Sequence, residues 1–109
     1  MVVGVPGQTV SVSGIDETKT VVCNDATVSI SGIRNVVNIT GHCVTIAVSG
    51  VENKITVDAA DSISTSGVEN DIKVDAVDSI DASGFDNKVT YFSGEPQIDA
   101  TGSNSVQQG

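Results

Sequence analysis

Aromatic residues are scarce: Phe, Tyr and Trp make up 3% of the 109 residues, and Trp is absent. A core assembled on large rings is thereby excluded. Val, Ile, Ser, Thr, Gly, Asn and Asp carry the chain instead, a mixture that favours strands and turns over helices. Basic residues are few as well, 5 Lys and Arg against 14 Asp and Glu, for a formal charge of -9. A surface of that sign repels phosphate backbones and anionic lipid headgroups, so nucleic acid is not an expected partner. No apolar run approaches a membrane span and no charged-then-apolar leader precedes the rest, so direct membrane insertion is not expected and the chain reads as soluble. At this length it makes a single domain, small enough that its core needs regular packing.

What is present is repetition. A Ser-Gly pair recurs at Ser13-Gly14, Ser31-Gly32, Ser49-Gly50, Ser66-Gly67 and Ser83-Gly84, then as Thr101-Gly102, at spacings of 18, 18, 17, 17 and 18 residues. A fixed period of this size marks one small unit used many times. Aligned on the serine, the first half-repeats read SGIDETKTV, SGIRNVVNI, SGVENKITV, SGVENDIKV and SGFDNKVTY. The third position is always apolar (Ile15, Ile33, Val51, Val68, Phe85), as is the ninth (Val21, Ile39, Val57, Val74, Tyr91), and the seventh holds Val37, Ile55, Ile72 and Val89. Alternation of period two predicts that all three positions face inward and that Glu52, Lys54, Thr56 and their equivalents face out.

The second half-repeats, CNDATVSI, GHCVTIAV, DAADSIST, DAVDSIDA and GEPQIDA, each end in a second short strand. Their expected inward pairs are Val28/Ile30, Ile46/Val48, Ile63/Thr65, Ile80/Ala82 and Ile98/Ala100, with Val10/Val12 of GQTVSV matching them ahead of the first Ser-Gly. Two short strands cannot bury their apolar side alone, whereas stacking identical coils pairs identical strands in parallel at about 4.8 Å per coil. The reading is an all-β parallel β-solenoid, or β-helix, of five to six 17–18-residue coils with two short strands per coil, roughly 25–30 Å long. It divides into an initial half coil over 1–12, five coils over 13–100 and a terminal partial coil over 101–109. A left-handed three-sided prism of hexapeptides also fits a period of 18, but there is no clean apolar repeat at every sixth residue. A right-handed path is expected, as for most parallel crossovers.

At the fifth position of the first half stand Glu17, Asn35, Asn53, Asn70 and Asn87. Asn side chains stacked at strand spacing can hydrogen-bond one another and the turn backbone, so these four asparagines are read as a structural amide ladder. The repeated glycines suit a fixed corner position with positive φ. Glu17 and Lys19 depart from the pattern in the first full coil, as befits a capping coil with an exposed edge. Cys23 and Cys43 fall in the second halves of adjacent repeats, where stacking makes them near neighbours. A disulfide is expected, and with it an oxidising compartment; the alternative is two small buried apolar side chains.

The residues with chemical potential are few. His42 adjoins Cys43, but nothing in the sequence orients the imidazole, so a Cys-His nucleophilic pair is not expected. Asp58 and Asp61 recur as Asp75 and Asp78, and such carboxylate columns could attract calcium. The nonapeptide calcium signature is missing, however, so solvated turn aspartates are the preferred reading, and neither metal nor cofactor is expected. The outward positions of the second strand include Thr9, Ser11, Thr27, Ser29, Thr45, Ser62, Ser64 and Ser79, a flat hydroxyl-rich face of the kind that receives ice, a glycan or a partner protein. Its rows degrade to Ala47, Asp81, Gln97 and Asp99. Asn38-Ile39-Thr40 matches a glycosylation sequon once.

The repeats SGIRNVVNI, SGVENKITV, SGVENDIKV and SGFDNKVTY, followed by YFSGEPQIDATGSNSVQQG, resemble a mycobacterial and actinobacterial domain of unknown function. That domain carries Ser/Asn-Gly-x-x-Asn-x-Val repeats, two cysteines and a closing Tyr-x-Ser-Gly-x-Pro segment before a terminal Gln-Gly. The segment Tyr91 to Gly109 is the most specific part of the likeness, although TGSNS places Asn104 one position early. The resemblance implies an exported or lipid-anchored envelope protein downstream of a removed leader, and it brings no activity or site residues. The expectation is a non-enzymatic, extracytoplasmic structural or interaction module, with a glycan-, ice- or calcium-binding solenoid as the alternative. Its partner would be an envelope protein or glycan, and its state a monomer or weak homodimer.

Overall fold

Period-two patterning of β-branched residues produces strands throughout a computed structural model that describes residues 2–109. Met1, at the head of the half coil expected over 1–12, lies outside the described residues. The strands are β1 (Val2–Val3), β2 (Thr9–Val12), β3 (Thr18–Val22), β4 (Thr27–Ile30), β5 (Val36–Val48), β6 (Lys54–Thr65), β7 (Asp71–Ala82), β8 (Phe85–Ser93), β9 (Gln97–Ala100) and β10 (Ser103–Gln108). Every pairing is parallel, along the path β1-β3-β5-β6-β7-β8-β10, with β2-β4-β5 and β7-β9 continuing the second half of each coil. The protein is therefore an all-β solenoid of about six stacked coils, measuring 32 × 30 × 21 Å.

In the middle coils the two expected strands fuse. β5, β6 and β7 each run 12 or 13 residues through the bend between the halves, where β3 and β4 remain separate. Coil length does not decide this, since β5 lies in an 18-residue coil and β6 and β7 in 17-residue coils; the eighteenth residue is taken up locally. Ile39 pairs with Val57, yet His42 pairs with Ala59, so the extra residue of the longer coil is absorbed at Thr40–Gly41. Likewise Ala76 pairs with Ser93 but Ser79 with Gln97, placing the extra residue of the last coil in the Gly94-Glu95-Pro96 segment. The 17-residue coils have no such insertion, and Lys54–Thr65 pairs with Asp71–Ala82 at one constant offset.

Between the strands lies a core of single-residue columns. Val28, Ile46, Ile63 and Ile80 stack in register, as do Val37, Ile55, Ile72 and Val89, and all eight are at most 1% exposed. Burial of a Val or Ile side chain contributes about 1.5–3 kcal/mol, so columns of them dominate the driving force for folding. One column, Ile30, Val48, Thr65 and Ala82, includes a buried hydroxyl: Thr65 Oγ1 has no hydrogen-bond partner.

Two expectations about the core are corrected. The third-position residues do not face inward: Ile15, Ile33 and Phe85 are 61%, 37% and 63% exposed, and Val51 and Val68 are half-buried. The residue that follows each of them, Asp16, Arg34, Glu52, Glu69 or Asp86, adopts a left-handed conformation with φ between 52° and 58°. That bend breaks the period-two phase, so the apolar side chain before it lands on the outside of the corner. Ile98 and Ala100 are also exposed, because β9 pairs with β7 on one side and no strand covers the other.

Candidate functional site

Each coil turns at two corners: the asparagines sit at the first, the cysteines, His42 and the aspartates at or beside the second, and the singled-out Ser and Thr residues on the second-strand face. At the Ser-Gly corner the asparagines form a continuous ladder. The backbone N–H of Glu17 donates to Asn35 Oδ1, that of Asn35 to Asn53 Oδ1, that of Asn53 to Asn70 Oδ1 and that of Asn70 to Asn87 Oδ1, at 3.0–3.1 Å. Each side-chain amide Nδ2 donates back to a glycine carbonyl of the previous coil and to the serine carbonyl of its own, as Asn53 does to Gly32 and Ser49 at 3.2 and 3.1 Å. Both hydrogens and the oxygen of a buried amide are thus used, which removes the cost of burying it. Asn104 is the last rung, accepting from the Asn87 N–H at 3.1 Å. Its early position is absorbed by a register shift between Ser103 and Ser105.

Glycine is required there by close approach. A Cβ on Gly50 would lie 2.2 Å from the Gly32 carbonyl oxygen, and its φ is +102°. The charged residues in left-handed conformation are the part of this corner that apolar alternation did not reveal. Their amides reach the next coil, Arg34 N–H donating to the Val51 carbonyl at 2.9 Å and Glu52 N–H to that of Val68 at 2.9 Å. Arg34 also grips Asp16 through two hydrogen bonds of 2.7 and 3.1 Å, which hold the Asp16 carboxyl below its ordinary pKa and push the guanidinium up. Both groups are exposed, so the pair adds little stability.

The second corner is individual from coil to coil. Cys23 and Cys43, both fully buried, form a disulfide across adjacent coils, with Cα atoms 5.4 Å apart. Neither sulfur is a free thiol, which removes the nucleophile from any Cys-His pair. His42 points the other way, outward, and two carboxylates hold it. Its Nδ1 lies 2.7 Å from Asp25 Oδ1 and its Nε2 lies 2.8 Å from Asp61 Oδ1. These hydrogen bonds, Asp25's first, raise its pKa above 6.5. The expectation that nothing orients this ring is corrected. The signal was the spacing: Asp25 and Asp61 lie 17 and 19 residues from His42, about one coil each way.

The four aspartates considered for calcium are dispersed in their roles. Asp58 Oδ2 accepts the Gly41 N–H at 3.1 Å and Asp61 is engaged by His42, while all four are exposed. Among the described residues no group of three or more His, Cys, Asp or Glu side chains is placed to hold a metal ion. The carboxylates of Asp25 and Asp61 approach opposite edges of the imidazole and so do not converge on one point.

On the second-strand face, Thr9, Ser11 and Ser64 are exposed, and Thr27, Ser29, Thr45, Ser62 and Ser79 are half-buried. The rows stack in register, Thr9 on Thr27 on Thr45 on Ser62 on Ser79, and one hydroxyl pair, Thr45 and Ser62, lies at 3.3 Å. Towards the last coils the face deepens into an open trough of about 620 Å³ between the row Ser62, Ser79, Gln97 and the row Ser64, Asp81, Asp99.

These features define a disulfide-linked parallel β-solenoid whose repeating corner is an asparagine ladder. The chain belongs to an uncharacterised family: the profile described as a protein of unknown function, DUF3060, matches residues 30–73 and 62–104, which together span more than half of the 109 residues. Asn35, Cys43, Asn53, Asn70 and Asn87 fall inside the matched stretch and Cys23 outside it. No curated protein and no solved structure matches the chain.

Proposed function

We propose that this protein is a non-enzymatic structural or interaction module of the cell envelope, outside the cytoplasmic membrane, secreted or anchored through a lipid, in an actinobacterial cell. The observation that carries the reading is the disulfide between Cys23 and Cys43, since such a bond persists in oxidising compartments and is rare in reducing ones. A second support is the use to which the polar residues are put. The buried asparagines are consumed by the ladder and the cysteines by their bond, so what is offered outward is a set of flat, regular faces.

A second reading has its own observation. The trough lined by Ser62, Ser64, Ser79, Asp81, Gln97 and Asp99 offers hydroxyl, amide and carboxylate groups at strand spacing, suited to the hydroxyls of an extended glycan. The replacement of Thr by Ser and Gln along one row, and of Ser by Ala and Asp along the other, favours this over an ice-binding array.

Fractionation of the native cell with a tagged chain tests the first reading. The chain is expected in the envelope or medium without free thiols; recovery from the cytoplasm with two free thiols would overturn it. For the second, purified envelope glycans titrated against wild type and Asp99→Ala should bind the former more tightly. Absence of binding to the wild type removes the glycan reading.

A further inference from the structure

The second corner holds a group whose proton count is tied to its contacts. His42, on β5, stands between Asp25, in the β3–β4 turn, and Asp61, on β6, so that one ring touches the coil before it and the coil after it. Ionised carboxylates only accept hydrogen bonds, and a neutral imidazole carries a single N–H. Contacts of 2.7 and 2.8 Å at both ring nitrogens therefore require the doubly protonated ring. A neutral ring can keep one of the two and must turn its bare nitrogen toward the other carboxylate.

We propose that His42 is a pH-operated clasp: as imidazolium it ties three consecutive coils together at the disulfide corner, and on losing its proton it releases one of them. The surroundings favour such behaviour. The charged groups on the ring are Asp25 from the β3–β4 turn and Asp61 from β6; Asp58 of β6 takes the neighbouring Gly41 N–H, Asp75 and Asp78 are the equivalents of Asp58 and Asp61 on β7, and β5 itself carries no other charge. Lys19, Arg34, Lys54, Lys73 and Lys88 all belong to the first-strand face or the Ser-Gly corner. Among the described residues the imidazolium is thus the one cation at this acidic corner, and its loss removes the charge that offsets the carboxylates. The clasp lies beside the covalent link, His42 adjoining Cys43 and Asp25 two residues past Cys23, but it reaches one coil further.

The sign follows from the raised folded-state pKa. The clasp's contribution is complete below the unfolded-chain value and is lost as the pH rises through the folded-state value, so the corner is tightest in mildly acid conditions. Because there is a single histidine, its imidazole proton resonances can be followed by NMR without assignment ambiguity. In the full chain the titration midpoint should lie above 6.5, and Asp25→Asn and Asp61→Asn should each lower it, Asp25→Asn more. In parallel, the melting temperature of wild type should exceed that of His42→Gln at pH 5 and the difference should shrink by pH 9. A midpoint at or below 6.5, a midpoint indifferent to both aspartate variants, or a melting difference independent of pH would each overturn the clasp. All these side chains are on the surface, so the variants fold and each outcome is readable.

Discussion

The two corners of each coil do the same mechanical job, turning the chain between stacked strands, and do it in opposite ways. The Ser-Gly corner is the same in the four coils that begin at Ser31, Ser49, Ser66 and Ser83: glycine backbones approach within a distance that excludes a Cβ, an asparagine satisfies the carbonyls so exposed, and a charged residue adopts a left-handed conformation. The second corner differs each time. It takes an extra residue in the 18-residue coils and none in the 17-residue ones, and it carries the disulfide, the His42 clasp and the solvated aspartates. Uniformity belongs to the buried asparagine amides of the first corner, which must all be paired, and variation to the exposed side chains of the second, which are free of that demand.

Substitutions at matched positions put a scale on that contrast. Gly50→Ala should be the most damaging, because its Cβ would meet the Gly32 carbonyl oxygen, a backbone atom fixed by the coil above. With positive φ added, the expected loss is about 4 kcal/mol in urea unfolding, or failure to fold. Replacing both cysteines by alanine opens a loop of 20-residue separation, and a loss of about 3 kcal/mol is expected in the same measurement. Gly41→Ala, at the second corner, is the control for Gly50. The nearest atom to its Cβ is the Asn24 nitrogen at 3.8 Å, so only the strain of φ +81° remains, about 1 kcal/mol. If Gly41→Ala proves as costly as Gly50→Ala, the two corners are not different in kind. The smallest effect has the opposite sign. Thr65→Val keeps the shape of a fully buried side chain and removes a hydroxyl without a partner, and should raise stability by about 1 kcal/mol.

How much of this was legible in the sequence depends on which corner is considered. Period and register were readable because each coil repeats the last: Asn35, Asn53, Asn70 and Asn87 advertised a ladder, and Val37, Ile55, Ile72 and Val89 a core column. Alternation misled at Ile15, Ile33 and Phe85, since a period-two count cannot be carried through a residue of positive φ, and Asp16, Arg34 and Asp86 do not announce that conformation as glycine does. At the second corner the pairing of Cys23 with Cys43 followed from stacking, but the Asp25, His42 and Asp61 grouping did not. Its partners stand 17 and 19 residues away, about one coil each way, but the grouping occurs once, around the single histidine, and no other coil repeats it. A side chain that reaches diagonally across coils leaves no column in an alignment of repeats.

Amide hydrogen exchange compares the two corners within one molecule. The N–H groups of Asn53 and Asn70, which donate to the buried ladder, should exchange only through global unfolding. The N–H of Gly41, which donates to the exposed carboxylate of Asp58, should exchange through local opening and at least about a hundredfold faster after correction for intrinsic rates. Equal protection at Gly41 and at the ladder asparagines would contradict the division of the coil into a corner that holds the fold and a corner free to vary.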